Sequence, residues 1–209
     1  MDIFDRITQQ EKHQLFKCLQ AGTKTFSKGE IIFDIGDKVT SVGYVEYGRV
    51  ELRKNDFEGN EIIVARVTKN ETFAETFACT KVKSKVCATA IEETKVLFLN
   101  FNRILSVCTN SCPFHRKLLE NLINVIATKN LLLQDRIELL SKKTLRERIF
   151  SLLLRQKQIC GTDIFEIPYS REQMAQFLGA NRSALSRELT RLKNENLIDF
   201  HQNLFRIVK

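Results

Sequence analysis

The 209-residue chain lacks the signatures of membrane proteins and of the common enzyme classes. No apolar run approaches the ~20 residues that a membrane span needs, and the start, MDIFDRITQQEKHQ, has no signal-peptide core. A cytoplasmic location with no membrane partner is expected. The only histidines are His13, His115 and His201, none in an expected strand, which argues against a histidine-ligated metalloenzyme on a β scaffold. No P-loop, nucleophile elbow or HExxH pattern occurs. A binding protein rather than an enzyme is expected. Internal repeats, low-complexity tracts and long flexible linkers are also missing. The six cysteines (18, 79, 87, 108, 112 and 160) are expected to be thiols, because the cytoplasm does not sustain a disulfide framework.

What is present changes character along the chain. Six of the eight glycines lie between Gly22 and Gly59 and punctuate short β-rich runs. Expected strands are Glu30–Phe33, Val42–Val45, Arg49–Arg53, Glu61–Ala65, Lys85–Ile91 and Lys95–Leu99, with turns at Gly36-Asp37, Tyr47-Gly48 and Glu58-Gly59-Asn60. Short strands at near-regular spacing suggest a sandwich or barrel. After Cys108 a helical period takes over, with Ser111 as a cap and Pro113 in the first turn. Leu119, Leu122, Ile126, Lys129, Leu133, Arg136 and Leu140 follow an alternating three-four spacing, as in a coiled-coil seam. Such a helix either joins two protomers or packs on its own β domain. A second helix is expected from Thr144 to about Gln158.

The stretch SREQMAQFLGANRSALSRELTRL, residues 170–192, is the most informative. Ser170 and Gln173 form a capping-box pattern, and Tyr169 before the cap is placed to pack on Met174 as a hydrophobic staple. Met174, Phe177 and Leu178 give the first helix a buried face. Gly179 permits a sharp turn, and Asn181 is a good N-cap for a second helix. There Leu185, Leu189 and Leu192 fall on one side, while Ser183, Arg187 and Thr190 point away, flanked by Ser186, Arg191 and Arg182. That layout is a helix-turn-helix whose second helix can enter a major groove. Arginine can pair bidentately with guanine, and serine can bond base edges or phosphate. Leu197–Phe200 and Leu204–Val208, joined by His201-Gln202-Asn203, read as a wing hairpin. Residues 141–209 hold 13 Lys+Arg against 7 Asp+Glu, net +6, whereas residues 1–140 hold 20 against 18, net +2. A basic module favours polyanions through counterion release.

A glycine-punctuated β-roll, a long helix and a winged helix-turn-helix, in that order, resemble the CRP/FNR family of bacterial transcription regulators. The resemblance rests on Lys28-Gly29-Glu30-Ile31-Ile32, Gly36-Asp37, Tyr47-Gly48-Arg49-Val50 and Phe73-Ala74-Glu75 in the first part. In the last part it rests on Ser170–Leu178, Gly179, Arg182, Ser186-Arg187 and Asn196-Leu197-Ile198. It implies an α+β chain: a cyclic-nucleotide-binding-like β-roll (a double-stranded jelly roll) over residues 1–111, a long dimerisation helix over 112–140, and a winged helix-turn-helix over 141–209. It further implies a homodimer on a palindromic duplex operator, controlled by a small-molecule, redox or nitrosative signal at the roll. RNA polymerase would be a partner of an activator, through a surface that the family usually places near the segment here numbered 158–163. A sensor or adaptor without specific DNA readout is the alternative class.

By position, Arg182 and Arg187 match family residues that contact bases or nearby phosphates, and Ser170, Arg171, Asn181 and His201 match positions that touch the DNA backbone. Ser183 departs from the pattern, since many members carry a glutamate there that reads a C·G pair. Leu119, Leu122, Ile126 and Leu133 are the expected dimer contacts. The effector pocket would involve Phe73, Glu75, Lys85 and Val86. Members that bind cyclic AMP use a Gly-Glu pair and, about ten residues on, an Arg-Ser pair for the phosphate. Here Ala74 replaces the glycine, and Lys85-Val86 replace the pair, losing the arginine fork. The resemblance therefore argues against cyclic AMP and leaves the effector unassigned.

Cys108-x3-Cys112-x2-His115 is the one metal-like spacing. With Cys79 or Cys87 it would offer ligands for zinc, iron, haem or an iron–sulfur group; the other reading is packing, because cysteine often behaves as a small buried hydrophobe. The N-terminal cysteine cluster of oxygen-sensing iron–sulfur members is missing, as only Cys18 lies in the first 78 residues. The segment Cys112-Pro113-Phe114-His115 resembles clostridial-type members.

Overall fold

The computed structural model describes residues 2–59, 61–106 and 113–208. Two compact units, Met1–Thr128 and Lys129–Lys209, divide within one long helix.

The first unit opens with α1 (Gln9–Leu19), then strands β1 (Gly22–Phe26), β2 (Ile31–Phe33), β3 (Ser41–Tyr47), β4 (Val50–Asn55), β5 (Glu61–Val67) and β6 (Thr72–Phe73). A short α2 (Glu75–Thr80), β7 (Cys87–Ala90), β8 (Thr94–Asn100) and α3 (Phe101–Leu105) follow, and then α4 (Pro113–Ser141) begins. Two four-stranded antiparallel sheets, ordered β1-β8-β3-β6 and β2-β7-β4-β5, make the roll. The central strands β3 and β8 are buried on both faces. Val45 and Val96 point into the roll beside Phe26, Phe33, Val50, Phe73 and Val86. Val42, Tyr44, Leu97 and Leu99 point the other way, onto α1, α3 and the start of α4 through Leu15, Leu19, Ile104, Phe114, Leu118, Leu122 and Val125. Two-sided burial explains why β3 and β8 read as nearly continuous apolar runs.

The second unit contains the end of α4, then α5 (Leu145–Cys160), β9 (Ile164–Glu166), α6 (Arg171–Phe177), α7 (Arg182–Asn194), β10 (Ile198–His201) and β11 (Leu204–Ile207). The strands form one antiparallel sheet, β10-β11-β9. Its core takes Ile149, Leu153, Phe165, Ile167, Met174, Leu178, Leu185, Leu189, Leu192, Ile198 and Phe205.

The expected strands and the long helix are present within a few residues of their expected ends. Sequence reading passed over β1, β6, β9, α1, α2 and α3. In β1 only Phe26 is buried, so no alternation shows. By contrast α1 carried a legible signal: Thr8 and Glu11 form a complete capping box. One expected dimer contact is corrected. Leu122 is 2% exposed and is committed to its own unit's core, with Leu119 half-buried against it, whereas Ile126 and Leu133 are exposed. The seam spacing was right for a helix, but α4 uses part of that stripe to pack on the roll's helices.

Inside the roll, Gly43 on β3 is opposite Phe73 on β6. A Cβ at Gly43 would come within 2.5 Å of two ring atoms of Phe73. That ring is buried and stacks on Phe33, centroids 6.2 Å apart, so it has little room to retreat. Gly43→Ala is expected to destabilise the roll by about 1–3 kcal/mol through overpacking, measured as a lowered denaturant midpoint at unchanged m-value.

Candidate nucleic-acid interface

The helix-turn-helix is built by its caps. The Oγ of Ser170 accepts from the Gln173 N–H (3.2 Å), and the Gln173 Oε1 accepts from the Ser170 N–H (2.9 Å), completing the expected box. The staple differs from expectation: Tyr169 stacks on Phe177, centroids 5.2 Å apart, while Met174 is fully buried in the core. The aromatic partner one turn further on offers the larger face. Gly179 has φ +63°, the left-handed conformation the turn requires. Asn181 caps α7 by accepting from the Ala184 N–H at 2.7 Å, and its Oδ1 also accepts from the Ser183 hydroxyl at 2.9 Å.

Leu185, Leu189 and Leu192 are buried, which turns Arg182, Ser183, Ser186, Arg187 and Thr190 outward. Neither Arg182 nor Arg187 is engaged by an ion pair among the described residues. Ser170, Asn181 and His201 are likewise exposed. Arg182, Ser170 and Arg171 line a cleft of about 480 Å³ with Glu172 and the wing-turn residues Gln202 and Asn203. The last two were not singled out from sequence, although their place in the expected hairpin turn was a usable signal.

Arg171 is the exception among the expected backbone contacts. It donates to the carbonyl of Gln202, and its guanidinium lies over Phe205 (4.9 Å) and Phe200 (5.3 Å). Burial there pulls its pKa below the ordinary arginine value. From the other side Lys193 donates to the Phe200 carbonyl (3.2 Å), pairs with Asp199 (2.7 Å) and sits 5.2 Å above the Phe200 ring. The wing is thus clamped to both helices through the stacked pair Phe200–Phe205.

In the first unit, Phe73, Glu75 and Val86 are buried and Lys85 is exposed, so the structure does not bring all four expected effector residues to one surface. Val86 belongs to the roll's core, and Glu75 accepts from the Thr72 hydroxyl at 3.3 Å. Ala74 has φ +66°, keeping a glycine-type backbone at the start of α2. A separate cleft of about 180 Å³ is lined by Lys38, Val39, Thr40, Ala78, Lys81 and Asn102.

Cys108 and Cys112 lie outside the described residues. His115 is buried; its Nε2 is 3.1 Å from the Arg103 carbonyl and 3.0 Å from that of Ile104, so the ring N–H is already used, and Nδ1 has no hydrogen-bond partner among the described residues. Only Nδ1 is therefore open to a metal. Among the described residues no group of three His, Cys, Asp or Glu could hold a metal ion, and none of Cys18, Cys79, Cys87 and Cys160 is in a disulfide. No helix of the described residues is long and apolar enough to cross a membrane.

This arrangement, a β-roll followed by a long helix and a winged helix-turn-helix with an outward basic face, defines a DNA-binding regulator. Residues 23–111 match the cyclic nucleotide-binding domain family, and residues 147–209 match the Crp-like helix-turn-helix domain. The chain is 26% identical over 190 residues to the transcriptional activator protein FnrA of Stutzerimonas stutzeri, spanning 88% of this chain and 76% of that protein. It is 27% identical over 180 residues to the transcriptional activator protein Anr of Pseudomonas protegens, spanning 84% and 72%. A solved mutant CooA from Carboxydothermus hydrogenoformans has the same fold, with a TM-score of 0.69, 18% identity, and coverage of 100% of this chain and 92% of that one. The chain belongs to the CRP/FNR family of transcription regulators.

Replacing Arg171 by leucine is expected to loosen the wing without unseating α7. Amide exchange over residues 198–207 should accelerate, while protection of Leu185 and Leu189 should stay as in the parent; equal protection of the wing would assign Arg171 no clamping role.

Proposed function

We propose that the chain acts as a cytoplasmic homodimer on a palindromic duplex operator, with α7 of each protomer in a major groove and the half-sites ~34 Å apart. The observation that carries this is the sidedness of α7: three buried leucines opposite exposed Arg182, Ser183, Ser186 and Arg187. In this scheme Arg187 and Arg182 contact base edges or nearby phosphates, and Ser170, Asn181 and His201 hold phosphates. Arg171 acts mainly by positioning the wing. Catalysis has no part in this role. Exposed Ile123, Ile126, Leu133 and Ile137 on α4 support pairing with a second copy.

The first unit would carry the signal as a change in the pose of α4. The buried Val86 and the exposed Lys85 speak against a cyclic nucleotide held by a phosphate fork there. The effector class proposed is another small molecule or a redox signal, and the clostridial-type assignment rests on Cys112-Pro113-Phe114-His115 alone. Where the regulator activates, RNA polymerase is the further partner, and residues 158–163 are the surface proposed for it.

Arg187→Ala should weaken binding to the preferred operator by about 1–3 kcal/mol and relax base preference at one position of each half-site, read by titrating labelled duplex. Undiminished specific binding would unseat α7 as the reading helix. Ile126→Asp together with Leu133→Asp should convert the dimer to monomer in sedimentation and abolish palindrome binding while leaving helix content unchanged. A persistent dimer would place the interface elsewhere.

A further inference from the structure

Ser183 stands where many family members carry glutamate, and a serine hydroxyl ordinarily serves as donor or acceptor, bonding amino and keto edges alike. In this chain the ambiguity is removed locally. The Asn181 Oδ1 is identified as the carbonyl oxygen, because it accepts the Ala184 backbone N–H at 2.7 Å, a bond only an acceptor can make. The Ser183 Oγ lies 2.9 Å from that same oxygen, so the Ser183 hydroxyl must be the donor of the pair. Its one proton is committed to the helix cap. What the exposed side chain presents outward is therefore its remaining lone pairs.

We infer that Ser183 is a specificity-determining residue that reads an amino-bearing base, adenine through N6 or cytosine through N4, and disfavours the keto edges of guanine and thymine. Bonding to a keto oxygen would need the hydroxyl proton, and releasing it leaves one of the two bonds to Asn181 Oδ1 unmade. Asn181 thus has two tasks: its Oδ1 holds both the helix start and the polarity of Ser183, while its Nδ2 remains available to a phosphate. The inference rests on the proposed placement of α7 in the major groove, and it refines which chemistry that face selects. A short hydroxyl replaces the longer carboxylate, yet the acceptor character survives.

The test is selection of bound duplexes from a randomised pool with the full-length protein, followed by competition with all four bases at each half-site position. The parent should prefer adenine or cytosine over guanine and thymine by about fivefold at one position, the worth of one hydrogen bond. Ser183→Ala should flatten that position and leave the others unchanged, and Ser183→Thr should restore it. Asn181→Gly keeps an acceptable helix start but removes the acceptor. It should weaken binding to every sequence and, beyond that common loss, shrink the amino-over-keto preference at the one position. A parent that prefers guanine or thymine there, or a preference untouched by Ser183→Ala, overturns the inference while leaving DNA reading by α7 intact. A pool with no enriched sequence overturns both.

Discussion

The outward chemistry of α7 depends on the burial of Leu185, Leu189 and Leu192. All three are essentially inaccessible, and each contributes about 2 kcal/mol by leaving water. The ion pairs around α7 are weaker determinants: Arg191–Glu188 spans 3.6 Å with its arginine 73% exposed, and exposed pairs contribute little. The apolar stripe therefore sets the rotation of α7, and the outward side chains follow. The charges refine a surface they do not create.

The roll follows the same logic with a different result. The two faces of β3 and β8 seat the inner phenylalanines on one side and the helices on the other. Phe73 lies directly against Gly43, and Phe33 against Phe73, so aromatic rings occupy the interior near the α2 turn. At that turn the backbone shape is retained at Ala74, in a conformation an alanine holds at a cost of roughly 1–2 kcal/mol. Backbone and side chains carry separate information: the turn persists, while Val86 has joined the core.

Much of this was legible in the sequence because the signals were local. Ser170 and Gln173, Asn181, and the leucine spacing of α7 specify caps and faces that no distant contact overrides. The strands with two buried faces announced themselves as apolar runs. What escaped depended on tertiary partners. β9 has only Phe165 buried, and it becomes a strand by pairing with β11. The commitment of Leu122 to a core shared with Leu15, Leu19 and Leu97, and of Arg171 to the wing aromatics, arises from residues on other elements, which periodicity does not contain. Gln202 and Asn203 were legible as a turn but not as a wall of the cleft with Ser170 and Arg182.

The exposed face of α7 also shows why residue type alone is an incomplete guide to what a side chain can bond. A hydroxyl at position 183 carries no fixed polarity until its own partner is known. Here the partner is the residue that starts the helix, so the stability of α7 and the polarity of its exposed face share one oxygen atom, the Asn181 Oδ1. Arginine has no such freedom, since it only donates. Arg182 and Arg187 are donors whatever their partner, whereas the polarity of Ser183 must be read from its hydrogen bond. The same reasoning extends to Thr190, whose hydroxyl donates to the Ser186 carbonyl at 3.0 Å and is left to accept. Along α7, the arginines face outward as donors and the two bonded hydroxyls as acceptors, an alternation set by bonds within the helix itself.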